Sequence, residues 1–563
     1  MEKNKLRIGL LLGGFDTFAW SHKMIEAIKK SGYAEIDLIV LNAIQEKQPP
    51  ETILSKLKNN SGQIFATLIR KVLVFLYHQL IERKRNTALP DSRERIDCEV
   101  LLRNVPKIEV VTIRKNGSDY FYLEDVKAIL SHKLDILVQC GFGLLRGEVL
   151  SAAKHGVWSF CYGDYCVNKE APVGYWESTG SRPETESILR ILTENLDNGV
   201  VLYRSFSGTK TMSLQDNKSN CYRKALYSIT RKMKELYETG EKEFFKNVEY
   251  GNRHPAFDPR KHYEAPTVYE LTHLTFRKIL EKLRIFFDKR FYFNQWILLF
   301  DLKNEFASSL CRYQKMIPPK DRFWADPHIL YQNNRYYIFI EEYLYRTQKG
   351  HISLIVMDED GVYSEPTIIL DKPYHLSYPF VFEHDNECYM IPESRSNKTI
   401  ELYKCVVFPH QWEFCMNLME NVEAVDTTVY YDDDRWWLFV NMVENKGECA
   451  WDELFLWSAS ELQSSCWEPH PQNPIVSDCK TARPAGKIFS KNGRLYRPSQ
   501  NCSKSYGYGY NISEITSLNQ HSYEEEIVSR VTPDWDKDII GTHTFNRINN
   551  LHIIDALYKR RLF

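Results

Sequence analysis

Two kinds of hydrophobic patterning divide the chain. From Leu6 to about Gly240, short apolar runs alternate with segments whose apolar positions recur at helical spacing. Arg7–Gly14 reads as a buried strand ending in a glycine pair, Ser21–Lys30 as a helix and Ile36–Asn42 as a second strand. Ile108–Ile113 is a short strand, Leu123–Ser131 a helix, and Leu134–Cys140 a strand running into Gly141-Phe142-Gly143. Strands alternating with helices predict an α/β domain over residues 1–240, a Rossmann-type parallel sheet with its ligands at the strand carboxyl ends. The GLLLGG run lacks the full glycine fingerprint of a dinucleotide site.

Residues 44–105 interrupt this pattern as a helical insertion, with an apolar helix at 63–80 followed by Arg83-Lys84-Arg85. Residues 241–291 read as a basic helical linker, in which the stretch 274–290 mixes Leu, Ile and Phe with Arg277, Lys278, Lys282, Arg284, Lys289 and Arg290. Both helices have the composition of a peripheral membrane contact or a partner-docking surface; packing against another domain of the chain produces the same pattern.

After Tyr292 the texture becomes short aromatic strands. Arg335-Tyr-Tyr-Ile-Phe-Ile, Glu387-Cys-Tyr-Met-Ile, Arg435-Trp-Trp-Leu-Phe-Val and Arg494-Leu-Tyr-Arg follow Asn-Asn, Asp-Asn, Asp-Asp and Asn-Gly, which are hairpin turn signals. Their recurrence roughly every fifty residues is the signature of propeller blades, and 292–563 accommodates five.

Composition narrows the function. The 563 residues suffice for two to four domains. A net charge of −1 supplies no basic field for nucleic acid, and 34 Tyr with 12 Trp favour β-rich, carbohydrate-facing surfaces. The 13 cysteines include no CxxC pair, so no zinc ribbon, structural metal or disulfide framework is expected; they read as reduced thiols. The apolar run at the start is too short for a signal peptide, and no stretch is long enough to span a bilayer. The expected location is cytoplasmic, or peripheral at the inner membrane face.

Three blocks carry candidate chemistry in the first half: Lys154-His-Gly-Val-Trp-Ser-Phe-Cys-Tyr-Gly-Asp164, Ala171-Pro-Val-Gly-Tyr-Trp-Glu177 and Leu196-Asp-Asn-Gly-Val-Val-Leu202. Their order and spacing over residues 6–205 resemble the formyltransferase fold. That resemblance implies 10-formyltetrahydrofolate as cofactor, with Asp197 assisting proton removal from the attacking amine. Ser159 stands where the family has Asn and Cys161 where it has His, and a thiol is a weak oxyanion donor. Alongside formyltransferase-like domains that carry a propeller, Ser159 and Asp164 are ordinary, while Cys161 and Tyr162 replace two histidines. The readings are an altered active site using Asp197, Asp164 and Tyr162, a Cys161 nucleophile, or a degenerate domain retained for binding.

In the second half, Trp324-Ala-Asp-Pro-His328, Phe339-Ile-Glu-Glu342, His375-Leu-Ser-Tyr-Pro379, Ile391-Pro-Glu-Ser394, Val425-Asp-Thr-Thr428, Arg483-Pro-Ala-Gly486, Tyr496-Arg-Pro-Ser-Gln500, Tyr506-Gly-Tyr-Gly and Gly541-Thr-His543 recur at blade spacing. Together they resemble the β-propeller at the N-terminus of the plant glucosamine inositolphosphorylceramide transferase family. That propeller is in turn similar to the arabinanase and levansucrase folds, whose three funnel carboxylates match Asp326, Glu393 and Asp426 in type, with Glu393 as candidate acid. Asp326, Glu342, Glu393, Asp426, Arg483, Arg497, Gln500 and His543 are expected to face one central funnel that binds a sugar, nucleotide sugar or glycolipid. Structural roles are open for the same residues: an Asp before Pro fixes turns, and arginines neutralise buried acids. The favoured expectation is transfer of a formyl or other acyl group to an amino sugar or glycoconjugate precursor of surface polysaccharide, with the propeller holding the glycan; the rivals are a propeller glycoside hydrolase or glycosyl-transferring enzyme using Asp326, Glu393 and Asp426, and a glycan-binding protein without turnover whose formyltransferase domain is degenerate.

Overall fold

The computed structural model describes residues 3–43, 94–115, 118–162, 177, 182–194, 199–209, 214–252, 268–302, 310–444 and 449–562. Two compact units divide it, Met1–Glu281 and Lys282–Phe563. Among the described residues no helix is long and apolar enough to cross a membrane.

The first unit is built on a seven-stranded sheet. Its strands are β1 (Leu6–Leu12), β2 (Ala34–Asn42), β3 (Lys107–Val110), β4 (Ile136–Gln139), β5 (Val157–Tyr162), β6 (Glu184–Ile191) and β7 (Val200–Gly208), in the order β7-β6-β5-β4-β1-β2-β3. Alternate residues of β1 enter different cores: Ile8 and Leu10 pack with Trp20, Met24 and Ile25 of α1 (Ala19–Lys30), and Leu11 packs with Val126 and Ile129 of α2 (Leu123–Ser131). Burial on both faces is why the strand reads as a continuous apolar run. At the carboxyl ends of β1 and β4 the two glycine loops meet, and a Cβ on Gly141 would lie 2.0 Å from the Gly13 nitrogen.

Only five strands pair in parallel. The strand β6 pairs antiparallel with both β5 and β7, which departs from the all-parallel expectation. Too few residues separate β6 from β7 for the helical crossover that parallel neighbours need, so they pair as a hairpin. The helices α3 (Leu214–Thr239) and α4 (Glu241–Gly251) contribute Ile229, Met233, Phe244 and Val248 to the same core. The stretch expected as a linker therefore begins as part of this domain. The helix expected at 63–80 lies outside the described residues; that at 274–290 falls within α5 (Val268–Phe291).

The second unit is a five-bladed propeller. Four antiparallel sheets of four strands span 322–370, 377–420, 424–469 and 489–531. The fifth joins the ends of the unit: Tyr292–Leu302 pairs along its whole length with Leu551–Arg561, flanked by Gln314–Met316 and Ile539–Gly541. The blade hairpins turn at Asn333-Asn334, Asp385-Asn386, Asp433-Asp434 and Asn492-Gly493, with φ positive at both residues of every pair. Two consecutive positive φ values define the turn whose twist matches antiparallel strands, and Asn, Asp and Gly accept it most readily.

The paired terminal strands close the ring, so their core contacts stabilise all five blades. Phe300 sits there at 1% exposure among Leu298, Met316, Ile338 and Ile553. Phe300→Ala should cost about 3–5 kcal/mol, seen as a lower urea midpoint of the propeller transition. Val528→Ala, on an exposed position, should stay within about 0.5 kcal/mol.

Candidate functional site

In each of the first three blades the innermost strand breaks register at the same place. The slips fall between Ala325 and His328, between Ser377 and Phe380, and between Val425 and Thr428. Each contains one non-glycine residue of positive φ: Asp326 at 51°, Tyr378 at 42° and Asp426 at 52°. A bulge of this kind bends the strand and re-aims a side chain, and such backbone costs about 1–3 kcal/mol. The re-aimed side chains tie blade to blade. Asp326 accepts from the Tyr378 N–H (3.2 Å) and the Thr544 hydroxyl (2.9 Å). Tyr378 places its hydroxyl 2.9 Å from Thr428 Oγ1 and accepts the Gly486 N–H at 2.8 Å. Asp426 receives both arms of Arg483 and the Gln500 amide (2.7 Å). Gly486, at φ 138°, tolerates no side chain, since a Cβ would stand 2.1 Å from the Phe545 carbonyl oxygen.

Beside these bulges opens a cavity of about 260 Å³. Its charged lining is Asp326, Glu341, Glu393, Arg483 and His543, and its aromatic walls include Trp296, Phe323, Tyr343 and Tyr506. Phe323 stacks on Tyr343 with centroids 4.8 Å apart, Trp296 covers the His543 ring at 4.2 Å, and Arg483 lies over the Tyr506 ring at 4.9 Å.

His543 is clamped between carboxylates: Nε2 is 3.2 Å from Asp326 Oδ1 and Nδ1 is 2.8 Å from Asp555 Oδ2. The two acids outweigh burial and push its pKa up to about 10. Asp326, despite burial, is held well below the usual carboxylate range by His543 and Thr544. Asp555, with no exposure, fixes this end of the site by accepting the backbone N–H groups of Asp326, His543 and Thr544. Glu393 goes the other way, its pKa driven well up by burial and then by Asp426. Arg483 stands 3.6 Å from Glu393, beyond hydrogen-bond length, and Glu393 Oε2 has no hydrogen-bond partner. Burial, then Asp326 and Glu393, likewise raises Glu341. The His375 Nδ1 accepts the Gly350 N–H, so its proton sits on Nε2, 3.5 Å from Glu341.

One cavity thus gathers a carboxylate held low in pKa, two carboxyls pushed up by burial, a guanidinium and an imidazole pushed up by its two acids. It can hydrogen-bond a polyol from several sides, stack a sugar ring, and donate a proton. Asp326, His543 and Asp555 also bring three ligand-type atoms within 4.8 Å of one another. Both nitrogens of the His543 ring face carboxylates there, which fits a protonated clamp better than a metal ligand.

Of the sequence-predicted funnel residues, Asp326, Glu393, Arg483 and His543 line the cavity, while Asp426 and Gln500 stand behind Arg483. Glu342 and Arg497 do not reach it. Adjacent strand residues point to opposite faces, so Glu341 takes the cavity and Glu342 turns to Arg322, Trp324, His351 and Ser353, which hold it at about 2. Arg497 is three residues from Gln500 on one strand, hence on the other face, and binds Glu525, Tyr523 and the Thr481 carbonyl. Sequence reasoning missed Glu341, Asp555, Trp296 and Tyr378. The Ser-Tyr-Pro block aligned with Ala-Asp-Pro was the available signal for Tyr378.

In the α/β unit, Asp164 and Asp197 lie outside the described residues. The Ser159 hydroxyl donates to Gln139 Oε1 at 2.7 Å, at the carboxyl end of β4. Cys161 is disulfide-bonded, which corrects both the nucleophile reading and the expectation of reduced thiols there, because a disulfide sulfur offers neither a thiolate nor an S–H. The buried Tyr162 hydroxyl has no partner among the described residues, and burial drives its pKa well up, so it cannot serve as a base.

Comparison with known proteins bears on the propeller. A family profile described as glucosamine inositolphosphorylceramide transferase 1, N-terminal, matches residues 310–557. The chain is 32% identical over 234 residues to glucosamine inositolphosphorylceramide transferase 1 of Oryza sativa subsp. japonica, covering 41% of this chain and 31% of that one. With its Arabidopsis thaliana counterpart it is 33% identical over 206 residues, covering 36% and 27%. The chain therefore spans less than a third of the length of these relatives. Among solved structures, Zg3597, a family 117 glycoside hydrolase of Zobellia galactanivorans, is similar at 12% identity and a TM-score of 0.31, over 47% of this chain and 90% of that one. An exo-1,5-α-L-arabinanase from a bovine ruminal metagenomic library is similar at 15% and 0.30, over 43% and 94%.

The two carboxyls on either side of Arg483 should respond unequally to neutralisation. Asp426→Asn strips the buried guanidinium of its bidentate partner and should destabilise by about 3–5 kcal/mol. Glu393→Gln removes a carboxyl whose pKa burial already pushes up, so its loss of Tm at pH 7 should be far smaller than that of Asp426→Asn. The His543 pKa is raised from 6.5 to about 10, so the stability it adds is fully present below pH 6.5 and is lost as pH rises toward 10. His543→Gln should flatten the fall in urea midpoint across that window.

Proposed function

We propose that the propeller funnel binds a glycosyl unit of a glycolipid and serves its transfer, with Glu393 as proton donor and Asp326 as the carboxylate facing the sugar. The observation that carries this reading is the separation of charge states inside one cavity. Carboxyls whose surroundings drive their pKa values apart are the acid and base pairs of sugar chemistry. Glu393, its pKa pushed up by burial, suits handing a proton to a departing oxygen; Asp326, held low by His543 and Thr544, suits stabilising positive charge developing on the ring. The aromatic walls suit an apolar sugar face, and the names of the plant relatives support an amino sugar and an inositol-phosphate lipid as the substrate class. The α5 helix, with exposed Leu283, Phe286 and Phe287 beside Arg284, Lys289 and Arg290, suits a protein that works on lipid at a membrane face.

Calorimetry with glucosamine and aryl glucosaminides tests the reading. The unmodified chain should bind saturably, and Asp326→Asn should weaken binding by at least about tenfold, the weight of one charged hydrogen bond. Glu393→Gln should retain binding and lose turnover of the aryl glycoside or its transfer to an inositol-bearing acceptor. Equal affinity in Asp326→Asn would sink the proposal.

A further inference from the structure

The propeller holds a second cavity, of about 210 Å³. Its wall includes residues that follow two of the bulges along their innermost strands, His328 and Ile329 after Asp326 and Val381 after Tyr378, with Lys487 and Ile488 from the segment leading into the strand Phe489–Lys491. Innermost strands of a propeller run side by side along its axis, so this cavity lies farther along the axis than the funnel and is separated from it by the bulges.

Its chemistry differs from that of the funnel. Lys487 and Arg547 contribute two cations, and no carboxylate is in the wall. Lys487 has no ion pair and no side-chain hydrogen bond among the described residues; its sole opposite charge at longer range is Glu383, which already accepts from Gln332 at 2.7 Å. Lys487 is half-buried, burial lowers its pKa, and a partly desolvated ammonium without an acceptor is stabilised when an anion joins it.

The surroundings are fixed by hydrogen bonds. The Lys487 backbone N–H donates to Asn546 Oδ1 at 2.9 Å, and Asn546 Nδ2 donates to the Pro327 carbonyl at 2.7 Å, which locks the amide across two blades. His328 has its Nδ1 against the Asp326 carbonyl at 3.2 Å, so its Nε2 is a bare acceptor, and that atom is unpartnered. Burial with the Lys487 charge brings His328 down to about 4, and burial with Arg547 and Lys491 does the same to nearby His552. Neither ring offsets the cations.

We infer that this cavity binds a phosphate-class oxyanion, with Lys487 as its principal contact and Arg547 as a second cation. A phosphate carries about −1.5 to −2 at neutral pH, and an ammonium with a guanidinium is a common phosphate cradle. The oxyanion is either free phosphate or the phosphate of a larger molecule.

Calorimetry on the full chain at fixed ionic strength, with inorganic phosphate and with glycerol 3-phosphate, separates the two sources: binding of both supports a site open to phosphomonoesters, and binding of phosphate alone a site for the free ion. Either should saturate at one site. Lys487→Met should weaken binding by at least about tenfold, Lys487→Arg should keep it, and Arg547→Gln should weaken it less. Glucosaminide binding reads the funnel and phosphate binding reads this cavity, so failure of the funnel proposal would not touch this one. Absence of saturable binding, or equal affinity in Lys487→Met, overturns the inference; if that variant does not fold, equal affinity in Arg547→Gln overturns it.

Discussion

Closing five sheets into a ring brings strands from distant parts of the chain together at an axis where no backbone ladder joins them, and side chains must make the joints. The Asp326–His543–Asp555 clamp is the central one. It ties the first blade to the last across 229 residues, through the Asp326 N–H on Asp555, while Asp326 also holds the Tyr378 N–H of the second blade. Tyr378 and Asp426 extend the same linkage to the third and fourth blades. The three positive-φ residues are strained because each has to leave its own strand to make this joint. The strain is offset by charge-assisted hydrogen bonds in a dry interior, where they are at their strongest.

That linkage also explains which parts of the site were legible in the sequence. The turn pairs Asn-Asn, Asp-Asn, Asp-Asp and Asn-Gly announced the blades, because a two-residue hairpin turn demands residues that accept positive φ. The Ala-Asp-Pro and Val-Asp-Thr blocks announced Asp326 and Asp426, because an acid recurring once per blade points to a shared axis. The facing of Glu341 rather than Glu342 was not legible: strand parity is set by the register, and the bulge at Asp326 shifts it. Asp555 was silent for another reason. Its partners are met only when the last strand pairs with the first, and its local sequence Ile-Ile-Asp-Ala carries no turn or motif.

In the α/β unit the pattern was legible where periodicity decides and not where topology does. β1, β2, β4, α1 and α2 fell close to their expected positions, since burial on both faces leaves an unmistakable apolar run. The antiparallel β6 and β7 were not distinguished from parallel strands, because strand direction depends on the length of the connection more than on the residues in the strand. Cys161 shows how a substitution read for its chemistry can answer to structure instead: in place of a hydrogen-bond donor at a strand end, the chain has a covalent cross-link.

The joint at the axis and the chemistry of the funnel are the same set of atoms. Packing Asp326, Asp426 and Asp555 around one axis is tolerable only with cations between them, and His543 and Arg483 are those cations. Both cations lie nearer the aspartates than the glutamates, and burial pushes the pKa of Glu341 and Glu393 up. A fold that needed only closure could have placed Gln at either position at no loss of packing. Two carboxyls pushed up in pKa beside an Asp326 held low, in a cavity walled by aromatic rings, are acids that the joint itself does not use.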